Sequence, residues 1–342
     1  MNKLGIAAIA LLTGISASAQ LFDPTVNLKV EARFDYQYDD IDGNAVDNNS
    51  GFKGKYLNMQ LSGNLTDKIS YSWRQRFNKS SYDGSFFDAT DWINLNYAPN
   101  EHWDLNGGKQ VVAIGGYEYD RAPINIYRGS EFWNNIPCYQ FGISGTYSFT
   151  GKRDKLMLQV CTNPFHKEIG NSNTYSYNLM WMGSHKHVST LYSVNLIEYM
   201  PGKYINYIAL GHMFNYGPAS LELDLMNRAS SHQTFLFRDA SVMADLGVKV
   251  SQPVKVFAKA TYDVNHTNSG ADFTVMPGTE ITMVGAGVEY HPFHIKNQDI
   301  RFHAAYFYSW GKNGNEAGTL QNKQSFVEVG LTWSMDVLRA KH

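Results

Sequence analysis

Apolar and polar residues alternate with a period of two through most of this chain, and no other feature limits its fold more. Val26, Leu28, Val30, Ala32, Phe34, Tyr36 and Tyr38 are separated by Asn27, Lys29, Glu31, Arg33, Asp35 and Gln37. Successive side chains of a strand point to opposite faces, so such a run describes one dry face and one wet face. The pattern recurs along the chain. Ile69, Tyr71, Trp73 and Phe77 oppose Ser70, Ser72, Arg74 and Arg76. Val254, Val256, Ala258 and Ala260 oppose Lys255 and Lys259, and Ile300, Phe302, Ala304 and Tyr306 oppose Arg301 and His303. About sixteen such segments of roughly ten residues occur, the length that a tilted strand needs to cross a bilayer. The segments near Asn94, Met180, Leu191 and Leu210 mix their faces.

The connections alternate between short turns and long polar loops. Short turns fall near Thr66-Asp67, Pro99-Asn100, Gly151-Lys152, Gly183-Ser184, Gly217-Pro218 and Gln252-Pro253. Long loops fall near Asp42–Ser50, Lys79–Asp88, Gly115–Pro137, Thr162–Ser172, Ala229–Asp239, Asn265–Met276 and Gly311–Lys323; the short Met200–Gly202 link breaks the pattern. This is the layout of an outer-membrane barrel, with both termini on the short-turn, periplasmic side. A soluble β-sandwich also alternates. Against it stand charges in the middle of long wet faces, aromatics near strand ends and a strand count too high for one sandwich. A lipid-embedded sheet must also close, since every backbone donor needs a partner. The fold class predicted is all-β: a transmembrane antiparallel barrel of about sixteen strands, wide enough for an aqueous lumen.

Met1–Ala19 reads as a signal peptide. Lys3 precedes a short apolar stretch, and Ala17-Ser18-Ala19 is a small-residue cleavage pattern. Residues 20–342 then form a single barrel domain that begins too soon for an N-terminal plug. Basic and acidic residues number 29 and 31, which argues against a nucleic-acid partner. Two cysteines, Cys138 and Cys161, are too few for a disulfide framework; they share parity across a predicted hairpin but lie several positions off direct pairing, so a bridge is not favoured. No strand sets Ser and His together on an apolar face as a barrel hydrolase would require. His185-Lys186-His187 is a weak metal signal near a turn, and no cofactor is called for.

The loop Gly115–Pro137 is the longest insert and the least loop-like. Tyr117, Tyr119, Tyr127, Phe132 and Trp133 have little reason to face free water. The expectation is that this third loop folds into the lumen and narrows it, with Arg121 and Arg128 facing Glu118, Asp120 and Glu131. Packing on itself or on a neighbouring subunit is the alternative.

Four stretches, in this order and spacing, carry a resemblance: Leu57-Asn58-Met59-Gln60-Leu61-Ser62-Gly63-Asn64-Leu65, Asp88-Ala89 opening the next hairpin, Trp103-Asp104-Leu105-Asn106-Gly107-Gly108-Lys109-Gln110 before the third loop, and Phe141-Gly142-Ile143-Ser144-Gly145 after it. In them the sequence resembles the phosphate-selective porin O/P family, from about Tyr56 to Phe165 and more loosely beyond. The resemblance implies a sixteen-stranded, usually trimeric, anion-selective diffusion channel of the Gram-negative outer membrane. Parity itself gives a mixed lumen with ten inward basic residues against seven acids, a weak anion preference. The candidate pore-lining, anion-binding residues are Arg33, Arg74, Arg76, Arg121, Arg128, Lys255, Lys259 and Arg301. Arg74 and Arg76 form a ladder for an anion or an ordinary ion pair with Glu31 or Asp35. Lys109 falls on the lipid side by strict parity, which requires a bulge or a slipped register to bring it inward. The function expected is passive diffusion of small hydrophilic solutes, phosphate-like anions among them, with outer-membrane lipid and two further copies of the chain as partners. Two rivals remain: a non-conducting barrel acting as adhesin, receptor or structural protein, and a sugar or peptide channel in which Tyr117, Tyr119 and Trp133 form a sliding surface.

Overall fold

The computed structural model describes residues 24–79, 85–230, 238–267, 270–293 and 298–341. The leader expected over Met1–Ala19 lies outside these residues, as do parts of the loops expected over Lys79–Asp88, Ala229–Asp239 and Asn265–Met276. The described strands form one closed sheet in which each pairs antiparallel with its neighbour in sequence. Strand β1 (Thr25–Ile41) pairs with β17 (Gln324–Lys341) from Thr25↔Lys341 to Ile41↔Gln324, closing the barrel. The strand β2 (Asn44–Ala45) is a two-residue rung on β1. The wall continues through β3 (Gly51–Asn64), β4 (Ile69–Arg76), β5 (Thr90–Tyr97), β6 (Trp103–Val111), β7 (Tyr139–Ser148), β8 (Asp154–Thr162) and β9 (Tyr175–Ser184). It is completed by β10 (Val188–Met200), β11 (Lys203–Tyr216), β12 (Ala219–Ser230), β13 (Asp239–Lys249), β14 (Val254–Asn265), β15 (Glu280–Tyr290) and β16 (Gln298–Lys312). Leaving out β2, sixteen strands cross, as the alternation predicts.

Parity holds where the alternation is clean. On β1, Phe34, Tyr36 and Tyr38 are exposed on the outer face, while Arg33, Asp35 and Gln37 are buried inside. Two of the mixed segments, near Leu191 and Leu210, have a physical cause. Inward-facing Ile197 of β10, Ile205, Tyr207 and Ala209 of β11 and Met226 of β12 join one apolar cluster with Ile114, Tyr119, Phe132 and Ile136 of the third loop and Val275 of the loop after β14. Strands β10 and β11 are apolar on both faces because one side meets lipid and the other meets folded-in loops.

Lys109 requires neither a bulge nor a slipped register. It pairs with Ile93 and Phe141, both exposed on the outer face, so parity places it correctly. The short helical turn Phe86–Asp88 covers it from outside, and its Nζ donates to the Phe87 carbonyl at 2.5 Å. Phe87 also stacks edge-on against Phe141 at 5.3 Å.

Candidate functional site: the lumen and its third loop

The chain leaves β6 at Val111 and re-enters the wall at Tyr139, and the segment between is laid against the inner face. Buried backbone polar groups need partners, and the charged wet faces supply them. Gly115 donates to Ser193 Oγ at 2.8 Å. A Cβ at Gly115 would stand 2.6 Å from the Leu191 carbonyl, so only glycine lets the loop approach β10 this closely. Helix α1 (Tyr117–Asp120) then starts with the N–H groups of Tyr117 and Glu118 donating to Asp224 at 2.9 and 2.8 Å. Helix α2 (Glu131–Asn135) repeats the device, its first two N–H groups donating to Asp263 at 2.9 and 3.2 Å. Wall carboxylates thus cap both loop helices, where backbone donors lack partners of their own.

Wall cations and acids hold the rest of the loop. Arg33 donates to the carbonyls of Ile124 and Ile126 at 3.1 and 2.8 Å and pairs with Asp35 and Glu328, both at 2.9 Å. Lys259 bonds Glu118 at 2.6 Å and the Arg128 carbonyl at 2.8 Å. Arg301 reaches Asn125 at 2.9 Å, and Lys255 lies 3.5 Å from Glu289. From the loop, Arg128 donates to Thr319, and Arg121 bridges Glu222 and Asp245 at 2.5 and 2.8 Å. Burial opposes the charge on Arg121, yet Asp245 and Glu222 outweigh it and hold its pKa above the ordinary guanidinium value. Of the acids expected opposite these arginines, Glu118 is taken up by Lys259 and Ser130, and Glu131 is buried at the start of α2. Asp120 projects into the open lumen, where water reaches it but the enclosing walls push its carboxyl pKa up.

Open space remains along the opposite wall. A vestibule of about 790 Å³ reaches the long-loop side and is lined by Lys53, Lys55 and Arg128 against Asp39 and Glu316. A passage of about 490 Å³ runs along β4 to β9 past Arg74, Trp92 and Asn106. Trp133 of α2 lines both. Arg74 lines the passage with it, Arg76 follows two residues along β4, and the partner of the two is neither Glu31 nor Asp35. Arg74 pairs with Trp92 in the ladder and Gln75 with Thr90, which leaves Asp91 as the extra residue of a bulge. Asp91 meets Arg76 at 2.8 Å and Arg74 at 3.3 Å, so two cations share one carboxylate. Rings frame the pair: Trp92 lies 4.9 Å from Arg74, and Tyr56 and Tyr139 lie 5.7 and 5.8 Å from Arg76. Alternation alone does not point to Asp91, because a bulge breaks the parity on which that reading depends.

Further inward acids, Asp39, Asp91, Asp104 and Glu289, join the lumen against two further bases, Lys53 and Lys55, and narrow the basic surplus that parity gives. Asp35, His303 and Glu328 cluster closely enough to resemble a metal site. The Arg33 guanidinium already lies 2.9 Å from each of the two carboxylates. Cys138 and Cys161 are free thiols.

The family profile of phosphate-selective porin O and P matches residues 26–233. The chain belongs to this family. It is an outer-membrane porin, a channel for small solutes. Solved structures show the same fold at low sequence identity. An anion-selective porin from Comamonas acidovorans aligns with a TM-score of 0.63 at 14% identity, covering 92% of this chain and 100% of that one. The outer-membrane channel DcaP of Acinetobacter baumannii gives 0.63 at 14%, covering 93% and 99%. The trimer form of OmpT from Vibrio cholerae gives 0.62 at 13%, covering 91% and 99%. No curated protein matches the sequence significantly.

Proposed function

We propose that this porin is a passive, weakly anion-preferring channel whose selectivity is set at the neck beside Trp133. The observation that carries the reading is the Arg74–Asp91–Arg76 triplet. Two guanidiniums share one carboxylate, which leaves one net positive charge beside the open space. A ring of fixed charge lowers the entry energy of the opposite ion without binding it tightly, so transit continues. The vestibule, with three basic residues against two acidic ones, adds to the same bias. Of the eight candidate residues, Arg74 and Arg76 have this pore-facing role, Arg33, Arg121, Arg128, Lys259 and Arg301 chiefly fasten the third loop, and Lys255 pairs with Glu289 on the wall. Small polar solutes and phosphate-like anions are the cargo, and three copies assemble in the membrane, as in the OmpT trimer form. Residues 1–19 are removed on export.

One observation favours the rival reading of a non-conducting barrel. The apolar cluster formed by the third loop and the segment around Val275 fills part of the lumen interior. Single-channel recording in a planar bilayer decides. Steady conductance with a reversal potential favouring chloride supports the proposal, a potassium preference rejects its charge reading, and folded barrels without conductance favour the plugged receptor.

A further inference from the structure

Below the neck the chemistry of the passage changes. Its charged lining is formally balanced, Arg74 and Arg121 against Asp104 and Asp120, and Arg121 is already engaged by Glu222 and Asp245 behind it. The remaining surface sets amides and aromatic rings, among them Asn106, Gln110, Trp92, Trp133 and Tyr139, among aliphatic side chains and methionines. Several buried polar atoms here have no protein partner: the donors Arg74 Nη2, Gln110 Nε2 and Trp133 Nε1, and the acceptor Asn106 Oδ1. The Arg74 side chain is only 4% exposed. Buried groups of this kind are costly unless a solute or water satisfies them.

The mixture of donors and acceptors restricts the solute class. A simple anion only accepts hydrogen bonds. It would serve the three donors but leave Asn106 unmet, and it would face Asp104 and Asp120. A hydroxyl group both donates and accepts, so it serves either kind. The rings offer flat apolar faces of the kind that the C–H faces of a sugar ring cover. A space of about 490 Å³ lies within the range of small-molecule sites. We propose that this passage is a binding track for neutral, polyhydroxylated ring solutes, that is, oligosaccharides, which hydrogen-bond Asn106 and Gln110 while stacking on Trp92. The proposal rests on the channel reading, and it makes the neck charge a filter for ions and the passage a site for sugars.

The test is current interruption by maltohexaose in a planar bilayer holding the full barrel, with polyethylene glycol of matched hydrodynamic size as control. The expected result is saturable interruption by the sugar and little by the polymer, with Trp92→Ala weakening the sugar's apparent affinity about fivefold, the weight of one ring contact. Equal interruption by both probes, or none by the sugar in a conducting channel, overturns the track and leaves the porin standing. A second measurement covers a barrel that does not conduct: tryptophan fluorescence of the folded, detergent-solubilised protein titrated with maltohexaose. A saturable change that Trp92→Phe abolishes supports the track even if the channel reading fails, and a flat titration overturns it.

Discussion

Asp91 gives the sharpest test of how the neck works, because one carboxylate serves two arginines. In Asp91→Asn the amide oxygen still accepts from Arg76, but the neck rises from one net positive charge to two. Arg76→Gln lowers it to zero, since Arg74 and Asp91 then cancel. An ion passing about 8 Å away in water meets about 0.5 kcal/mol per unit charge, and about half of that at 0.1 M salt, where the Debye length is about 10 Å. Cation and anion feel opposite signs, so one unit of charge changes their permeability ratio about twofold. In a tenfold salt gradient this is a reversal-potential shift on the order of 10 mV. The two single variants should move it in opposite directions, Asp91→Asn toward chloride and Arg76→Gln toward potassium.

The double variant Asp91→Asn/Arg76→Gln provides the control. Its neck again carries one net positive charge, so its reversal potential should return to that of the parent within a few millivolts. Damage to the fold or a displaced loop would not cancel in this way. If both single variants shift in the same direction, or the double variant stays shifted, the neck charge does not set selectivity and the reasoning fails.

Three further outcomes follow from the loop and its surroundings. Burial raises the pKa of Asp120, so it takes up a proton at a higher pH than an ordinary carboxyl. As pH falls through that window the passage gains a positive charge and anion preference should rise, a step that Asp120→Asn removes from reversal potentials recorded against pH. Asp263→Ala leaves the first N–H groups of α2 without their acceptor, which costs about 1–2 kcal/mol of loop anchoring. It should appear as noisier open-channel current and faster cleavage within residues 112–138 under limited proteolysis, and Asp263→Asn should be milder. Cys138 has its thiol pKa pushed up to about 11 by burial, and Cys161 is 2% exposed. A maleimide reagent at neutral pH should leave both untouched in the folded barrel and label both after denaturation, whereas a mobility shift on reduction would reveal a disulfide.

How far the sequence exposes this molecule depends on which faces obey parity. Strands between lipid and water, such as Val26–Tyr38 and Ile300–Tyr306, have one apolar face and declare themselves by alternation alone. The same rule places Lys109 outside, and the structure agrees because Phe87 supplies a carbonyl there. The rule loses its hold where the lumen is not water. Ile197, Ile205 and Tyr207 face inward onto Phe132 and Val275, so β10 and β11 look unpatterned although their geometry is regular. The aromatic content of Gly115–Pro137 announces an inward loop, but its fasteners lie in distant strands: Asp224, Asp263 and Arg33 become legible only once the barrel closes. Charge is the hardest quantity to read, because parity counts residues and not pairs. Arg33, Lys259 and Arg301 count as three cations in an alternation, yet in the folded lumen each is bound to loop oxygens or wall acids. What remains to act on a passing ion is the part that pairing leaves over, and here that remainder hinges on one bulged residue, Asp91, whose side chain no period of two locates.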